Sequence, residues 1–306
     1  MNRSTALTLS LGEIDEPVIT RYRLGLVIFN LYSLKSYRGE KLQHLNKECA
    51  GAKEFSACLS ELQDNGILTP HPDFPDRVFR LLGRKDEEPG EVACTVDPLC
   101  YLSHLSAMAY HGLTDRLPAK LFISSPAPRE WKDEALARME HDLGVGLTLY
   151  EQSGMPMLNR IPIFKIARTE VHRFSSKHRG AYKNVKGSVL RVSTLGRTFL
   201  DMLRNPELCG GIHHVIGVYK EHAKTYLRLI VDEISQHGAP IDKVRAGYLL
   251  DELMGLKNDT VQGWVSFAQR GGSRKLDASA EYRPVWSDKW LISLNVEGLK
   301  GEGISS

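Results

Sequence analysis

The 306-residue chain carries 40 Lys/Arg against 37 Asp/Glu and is 42% hydrophobic and 25% charged, the balance of an ordinary globular protein with room for two domains. No apolar run reaches the length of a membrane span, and the N-terminal residues acquire acids too early for a secretory signal. Five cysteines, odd in number and without a CxxC pair, point to reduced thiols and a cytoplasmic setting rather than a disulfide framework.

Residues 1–16 read as an N-terminal extension. A helix is predicted from Pro17, with Leu24, Val27, Ile28, Leu31 and Leu34 at helical spacing. After Gly39 a short polar helix over 40–48 turns Leu42 and Leu45 inward and Lys41, His44 and Lys47 outward. Gly51 then precedes a helix over 52–65, whose core stripe Phe55, Cys58, Leu59 and Leu62 follows the i, i+3, i+4, i+7 rule. Asn65-Gly66 stops it. A hairpin follows, with Ile67–Thr69 as one strand, Pro70, Pro72 and Pro75 at the tip, and Arg77–Leu82 returning.

Helix, helix-turn-helix and β-hairpin is the order of a winged helix-turn-helix, here over 17–85, in which the last helix enters the major groove. Lys53, Ser56, Ala57 and Ser60 form that helix's outer face, and small side chains suit close approach to bases. Lys41, Lys47, Arg77, Arg80, Arg84 and Lys85 are candidate phosphate contacts. Against this, residues 1–90 hold 12 Lys/Arg and 13 Asp/Glu, and Glu54 and Glu61 lie on the reading helix. The same pattern therefore also fits a protein-interaction module.

The charged, Gly/Pro-bearing stretch Gly83–Asp97 marks a domain edge, with 86–97 as the linker. Beyond it, 98–298 reads as a larger mixed domain. Its helices are expected near 98–111 and 129–143, and its strands at Lys120–Ser124, 146–150, 160–168, 170–175 and 188–193. Helices at 194–204, 208–222, 225–237, 241–254 and 259–269 follow, then a strand at Trp290–Asn295. Residues 299–306 read as a disordered tail. The fold class is α+β: an N-terminal winged helix-turn-helix followed by a larger mixed α+β domain.

Charge is concentrated in 160–197, which holds ten Lys/Arg against a single acid, Glu170. The segment is about +9 in a chain of +3, so the remainder sums to −6. Lys165, Arg168, Arg173, Lys177, Arg179, Lys183, Lys186 and Arg191 form a candidate nucleic-acid-binding surface, with Phe174 and Tyr182 able to stack on bases. A solvated face, or lysines protecting a sheet edge, is the alternative.

Nothing assembles an enzyme. The basic stretch offers one carboxylate where a metal-dependent nuclease needs several, and no GxxxxGK[ST] loop is present. Cys209, His213, His214 and His222 lack the paired spacing of a zinc site. Neither metal nor cofactor is expected. His104 and His111 read as core or hydrogen-bonding residues, and Arg197 and Asp201 as an i, i+4 pair.

Three segments, YLSHLSAMAYHGLTDRLP (Tyr101–Pro118), STLGRTFLDMLRNPELCGG (Ser193–Gly211) and KVRAGYLLDELMG (Lys243–Gly255), stand in order behind the N-terminal module. In that combination the chain resembles the AbiEi family of antitoxins from bacterial type IV toxin–antitoxin, or abortive-infection, systems, over roughly 17–295. The resemblance implies a transcriptional repressor of its own operon that binds double-stranded promoter DNA at repeated half-sites. It also implies an antitoxin that neutralises a nucleotidyltransferase-like toxin without a stable complex. The DNA contacts it implies fall on Lys41, His44, Lys47, Lys53, Ser56, Arg77 and Arg80. RNA binding, or a protein-interaction module, that shields the toxin's target is the alternative function.

Overall fold

The computed structural model describes residues 1–43, 45, 47–84, 88–176, 181–271 and 274–299. The chain is mixed α+β with several sheets. The predicted tail lies outside the described residues except for Leu299.

The chain opens with helix α1 (Arg3–Gly12), strand β1 (Val18–Thr20) and helix α2 (Arg21–Leu34). A two-stranded hairpin follows, β2 (Ser36–Tyr37) and β3 (Glu40–Lys41), then helix α3 (Ala52–Asp64) and strands β4 (Leu68–Pro70) and β5 (Val78–Leu81). The middle of the chain contributes α4 (Pro89–Val96), β6 (Tyr101–Leu102), α5 (His104–Tyr110), β7 (Lys120–Pro126), α6 (Pro128–Leu143) and α7 (Leu147–Gln152). Strands β8 (Lys165–Ile166), β9 (Thr169–Ser176), β10 (Tyr182–Asn184) and β11 (Arg191–Ser193) precede helices α8 (Leu195–Arg204), α9 (Ile212–His237), α10 (Pro240–Gly247) and α11 (Asp259–Gly263). Strands β1, β5 and β4 form an antiparallel sheet in that order, and six strands form a second sheet ordered β10-β11-β6-β7-β9-β8.

Several expectations are corrected. The predicted extension contains α1, capped by the Asn2 side chain, which accepts from the Thr5 N–H at 2.8 Å, and anchored by buried Ala6, Leu7 and Leu11. None of the described residues of 40–48 is helical. Arg38 (φ 48°) and Gly39 (φ 82°) are both left-handed between the paired residues Tyr37 and Glu40. That is the two-residue type I′ connection, which closes a hairpin and cannot start a helix. The expected linker holds α4, with Val92, Ala93, Cys94 and Val96 buried. Residues 147–152 are helical, because the short apolar alternation there satisfies either period. The two helices expected at 208–222 and 225–237 are one, α9, interrupted by non-helical Tyr226. The last strand is reduced to isolated bridges from Ser293 to Lys275 and Trp286.

The chain divides into two compact units. The first comprises Met1–Tyr101, Ser124–Arg179 and Asn184–Arg191. Its core gathers Leu7, Leu24, Ile28, Phe55, Leu62 and Phe79 with Met139, Tyr150 and Met155 from much later in the chain. Tyr150 meets Phe29 edge-on at 5.1 Å and donates its hydroxyl to the Pro156 carbonyl at 2.7 Å. The second unit comprises Leu102–Ile123, Gly180–Lys183 and Val192–Ser306. There α8 packs on α9, with Phe199 and Tyr219 edge-to-face at 5.0 Å. Trp290 is fully buried beside Gly247, where an added Cβ would meet the indole at 2.2 Å. Only glycine allows α10 that approach.

Candidate nucleic-acid interface

Helix α3 is positioned from both ends. At its start Glu54 accepts from the Gly51 N–H at 3.0 Å, satisfying one of the orphan donors of the first turn. At its end Gly66 (φ 68°) closes a Schellman motif, with Ile67 N–H bonded to the Leu62 carbonyl and Gly66 N–H to that of Gln63, each at 2.9 Å. Phe55, Cys58, Leu59 and Leu62 are buried as the spacing predicts, and Ala52, Lys53, Ser56, Ala57 and Ser60 are exposed.

Two of the three acids of α3 are neutralised within the fold, and the third, Asp64, is exposed in its last turn. Glu54 is paired with Lys47, and the Lys47 hydrogen bond holds the Glu54 carboxyl below the usual carboxylate range. Glu61 is paired with Arg3; its carboxyl is lowered first by the Ser4 hydroxyl and then by that guanidinium. The outer face therefore presents Lys53 among small side chains, with Asp64 exposed at its C-terminal end. Arg3 was missed at the sequence level because it belongs to a helix that was not foreseen.

The loop joining β4 and β5 is internally braced. His71 is buried and accepts from the Asp73 N–H through Nδ1 at 3.1 Å, with its ring 5.0 Å from Phe74. Asp73 in turn accepts from the Ala167 N–H at 2.7 Å and pairs with Lys165 at 3.7 Å. Arg77 is exposed at the end of this loop, and Arg80 lies on the central strand β5 opposite Val18 and Thr69. Of the other predicted contacts, Lys41 sits exposed on β3 rather than on a helix, Lys47 is committed to Glu54, and His44 lies outside the described residues.

Among the described residues, the cations of the basic stretch divide between internal pairs and exposed positions. Arg173 pairs with fully buried Asp97 at 3.1 Å and donates to the Ile161 carbonyl. Arg191 donates to the backbone carbonyls of Cys100, Cys94 and Asp97 at 2.6–2.9 Å. Arg197 is buried against Asp201 at 2.8 Å, so that pair is interior rather than a surface staple. Lys183 lies over the Tyr110 ring at 6.0 Å. Arg168 and Lys186 are exposed, while Lys177 and Arg179 lie outside the described residues.

Asp97, placed in the expected linker, is instead a hub. Besides Arg173 it accepts from Ser125 Oγ and Trp131 Nε1, each at 2.9 Å, and from the Leu99 N–H at 3.1 Å. Burial pushes the Cys209 thiol well up, and His214 Nε2 is 3.0 Å from Thr114 Oγ1. Among the described residues no three His, Cys, Asp or Glu side chains gather in a metal-binding group. His104 Nδ1 bonds Ser103 Oγ at 2.9 Å, and His111 Nε2–H donates to the Ser193 carbonyl at 2.7 Å. Among the described residues no helix is long and apolar enough to cross a membrane.

No family model and no curated protein matches the chain. Among solved structures it is similar to the RV2827C protein from Mycobacterium tuberculosis, with 13% identity, a TM-score of 0.48, and coverage of 94% of this chain and 90% of that one. That similarity is too low to assign fold or function.

Proposed function

We propose that this chain is a DNA-binding transcriptional repressor of its own operon and the antitoxin of a type IV toxin–antitoxin system, acting on a nucleotidyltransferase-like toxin without a stable complex. The observation that carries the DNA half is the outer face of α3. Lys53, Ser56, Ala57 and Ser60 are exposed while Glu54 and Glu61 are held by Lys47 and Arg3. Along the first turns of α3 the acids are therefore paired, and exposed Asp64 stands at the far end of the helix. The sheet order β1-β5-β4, with β1 between the first two helices, supports treating the module as a winged helix. In that geometry α3 enters the major groove, Lys53 is placed to donate to guanine O6 and N7, and exposed Arg77 meets phosphate.

The antitoxin half rests on the resemblance carried by Ser193–Gly211 and Lys243–Gly255. Residues of those motifs serve packing in the second unit: Phe199 in its core, the buried pair Arg197 and Asp201, and Gly247 by admitting the Trp290 ring.

A gel-shift titration with the DNA upstream of the chain's own gene tests the proposal. Binding should prefer that sequence over a scrambled duplex, and log affinity should fall linearly with log salt, by about 0.9 per neutralised phosphate. Lys53→Ala combined with Ser56→Ala should bring the two duplexes to within about threefold of each other. Equal affinity of the unmodified protein for both duplexes refutes sequence-specific repression.

A further inference from the structure

A cleft of about 840 Å³ opens within the first unit. Its lining includes Arg21, at the start of α2, and Arg77, just before β5. Their backbones are directly joined, the Arg21 N–H donating to the Arg77 carbonyl at 3.1 Å. Both residues therefore line one cleft from neighbouring backbone positions at the rim of the three-stranded sheet.

These two cations are the uncommitted ones. Arg23 and Arg138 also line the cleft, but Glu16 at 3.1 Å and Asp142 at 3.3 Å neutralise them. Arg21 has one long bond, at 3.4 Å, to the Asp76 carbonyl, and its guanidinium lies 4.9 Å above the Phe55 ring. Stacking on an aromatic face holds the planar fork while leaving its edge free to donate. Arg77 makes no side-chain hydrogen bond or ion pair among the described residues. Two guanidinium forks lining one cleft suit the oxygens of a phosphate better than a single carboxylate.

Size then distinguishes among phosphates. The volume falls in the range of about 300–1,000 Å³ typical of small-molecule sites, far more than an inorganic ion fills. The rest of the lining mixes apolar side chains such as Leu158 and Ile161 with the amides of Asn159 and Asn184. That combination accommodates a flat, partly apolar body with polar edges. We propose that this cleft binds an organic phosphate of nucleotide size, with its phosphate on Arg21 and Arg77 and its organic body along the apolar and amide lining. Phe55 and Ser56 of α3 also line the cleft, so an occupant touches the helix assigned to DNA reading.

Isothermal titration of the full-length protein, without DNA, tests this with AMP, GMP, CMP and UMP as probes and inorganic phosphate as the comparison. At least one nucleotide should bind, at least tenfold more tightly than phosphate. Arg21→Ala and Arg77→Ala should each weaken it at least tenfold. Lys132→Ala, exposed on α6 and outside the cleft lining, should leave it unchanged. Arg77→Lys, which keeps the charge and loses the fork, should fall between wild type and Arg77→Ala, with an unchanged melting curve separating site loss from misfolding. Absence of heat with all four nucleotides at millimolar concentration overturns the proposal. So does equal affinity for phosphate, or binding indifferent to both arginine replacements. Because no DNA is present, failure here is distinct from failure of the operator experiment.

Discussion

Replacing Asp97 by alanine should destabilise the first unit more than any surface change in the basic stretch. Asp97 is fully buried and accepts from Arg173, Ser125, Trp131 and the Leu99 amide. Removing one member of a buried ion pair costs about 3–5 kcal/mol, because the remaining charge stays out of water. Each orphaned neutral donor adds about 1–3 kcal/mol before relaxation, and Ser125 can rotate to another acceptor. A net loss of about 4 kcal/mol is expected. With a urea m-value of roughly 1.5–2.5 kcal/mol/M, the midpoint falls by roughly 1.5–2.5 M. Equilibrium urea unfolding followed by tryptophan fluorescence measures it, since Trp131 is one of the donors. A double-mutant cycle adds Arg173→Met, and the pair should cost clearly less than the two single changes together. The reasoning is refuted if Asp97→Ala moves the midpoint by less than about 0.5 M. It is also refuted if Arg173→Met leaves unfolding intact while weakening DNA binding, since Arg173 would then be a surface contact.

Two further outcomes follow from the second unit. Gly247→Ala places a methyl group 2.2 Å from the Trp290 ring, an overpacking expected to cost about 1–3 kcal/mol; calorimetry should show a lower melting temperature, and an unchanged one rejects the close-approach argument. His111 is held below its ordinary pKa of 6.5, chiefly by burial and also by Lys183, with the Ser193 carbonyl opposing. The unfolded chain therefore binds more protons below pH 6.5, so this contribution to stability is complete above 6.5 and is lost as pH falls through the folded-state value. His111→Gln should flatten the stability profile just below pH 6.5, and an unaltered slope there refutes the assignment.

Local rules made α3 legible, because its stripe, its stop signal and its exposed face are all written within fifteen residues of one another. The same rules misplaced 40–48, where two consecutive left-handed residues, one of them an arginine, closed a hairpin that composition alone disguises. In the basic stretch the partners of two cations were illegible for a different reason. The absence of neighbouring acids suggested an unpaired surface, yet Arg173 and Lys165 find Asp97 and Asp73 from far earlier in the chain. Sequence distance carries no information about such partners. Likewise Arg21 and Arg77 are far apart in the chain, and only strand pairing makes them backbone neighbours.

The interrupted layout of the first unit has a consequence for synthesis. Helix α3 leaves the ribosome early, but Met139, Tyr150 and Met155, which complete its core, and Arg191, which ties α4 to the turn after it, come much later. At about 5–20 residues per second the delay between β5 and Arg191 is roughly 5–20 s. A nascent or truncated chain ending before that point displays the α3 sequence without the core that rigidifies it. If the proposed autorepression holds, occupancy of the promoter would then report finished molecules rather than elongating ones, so the protein would count completed copies of itself.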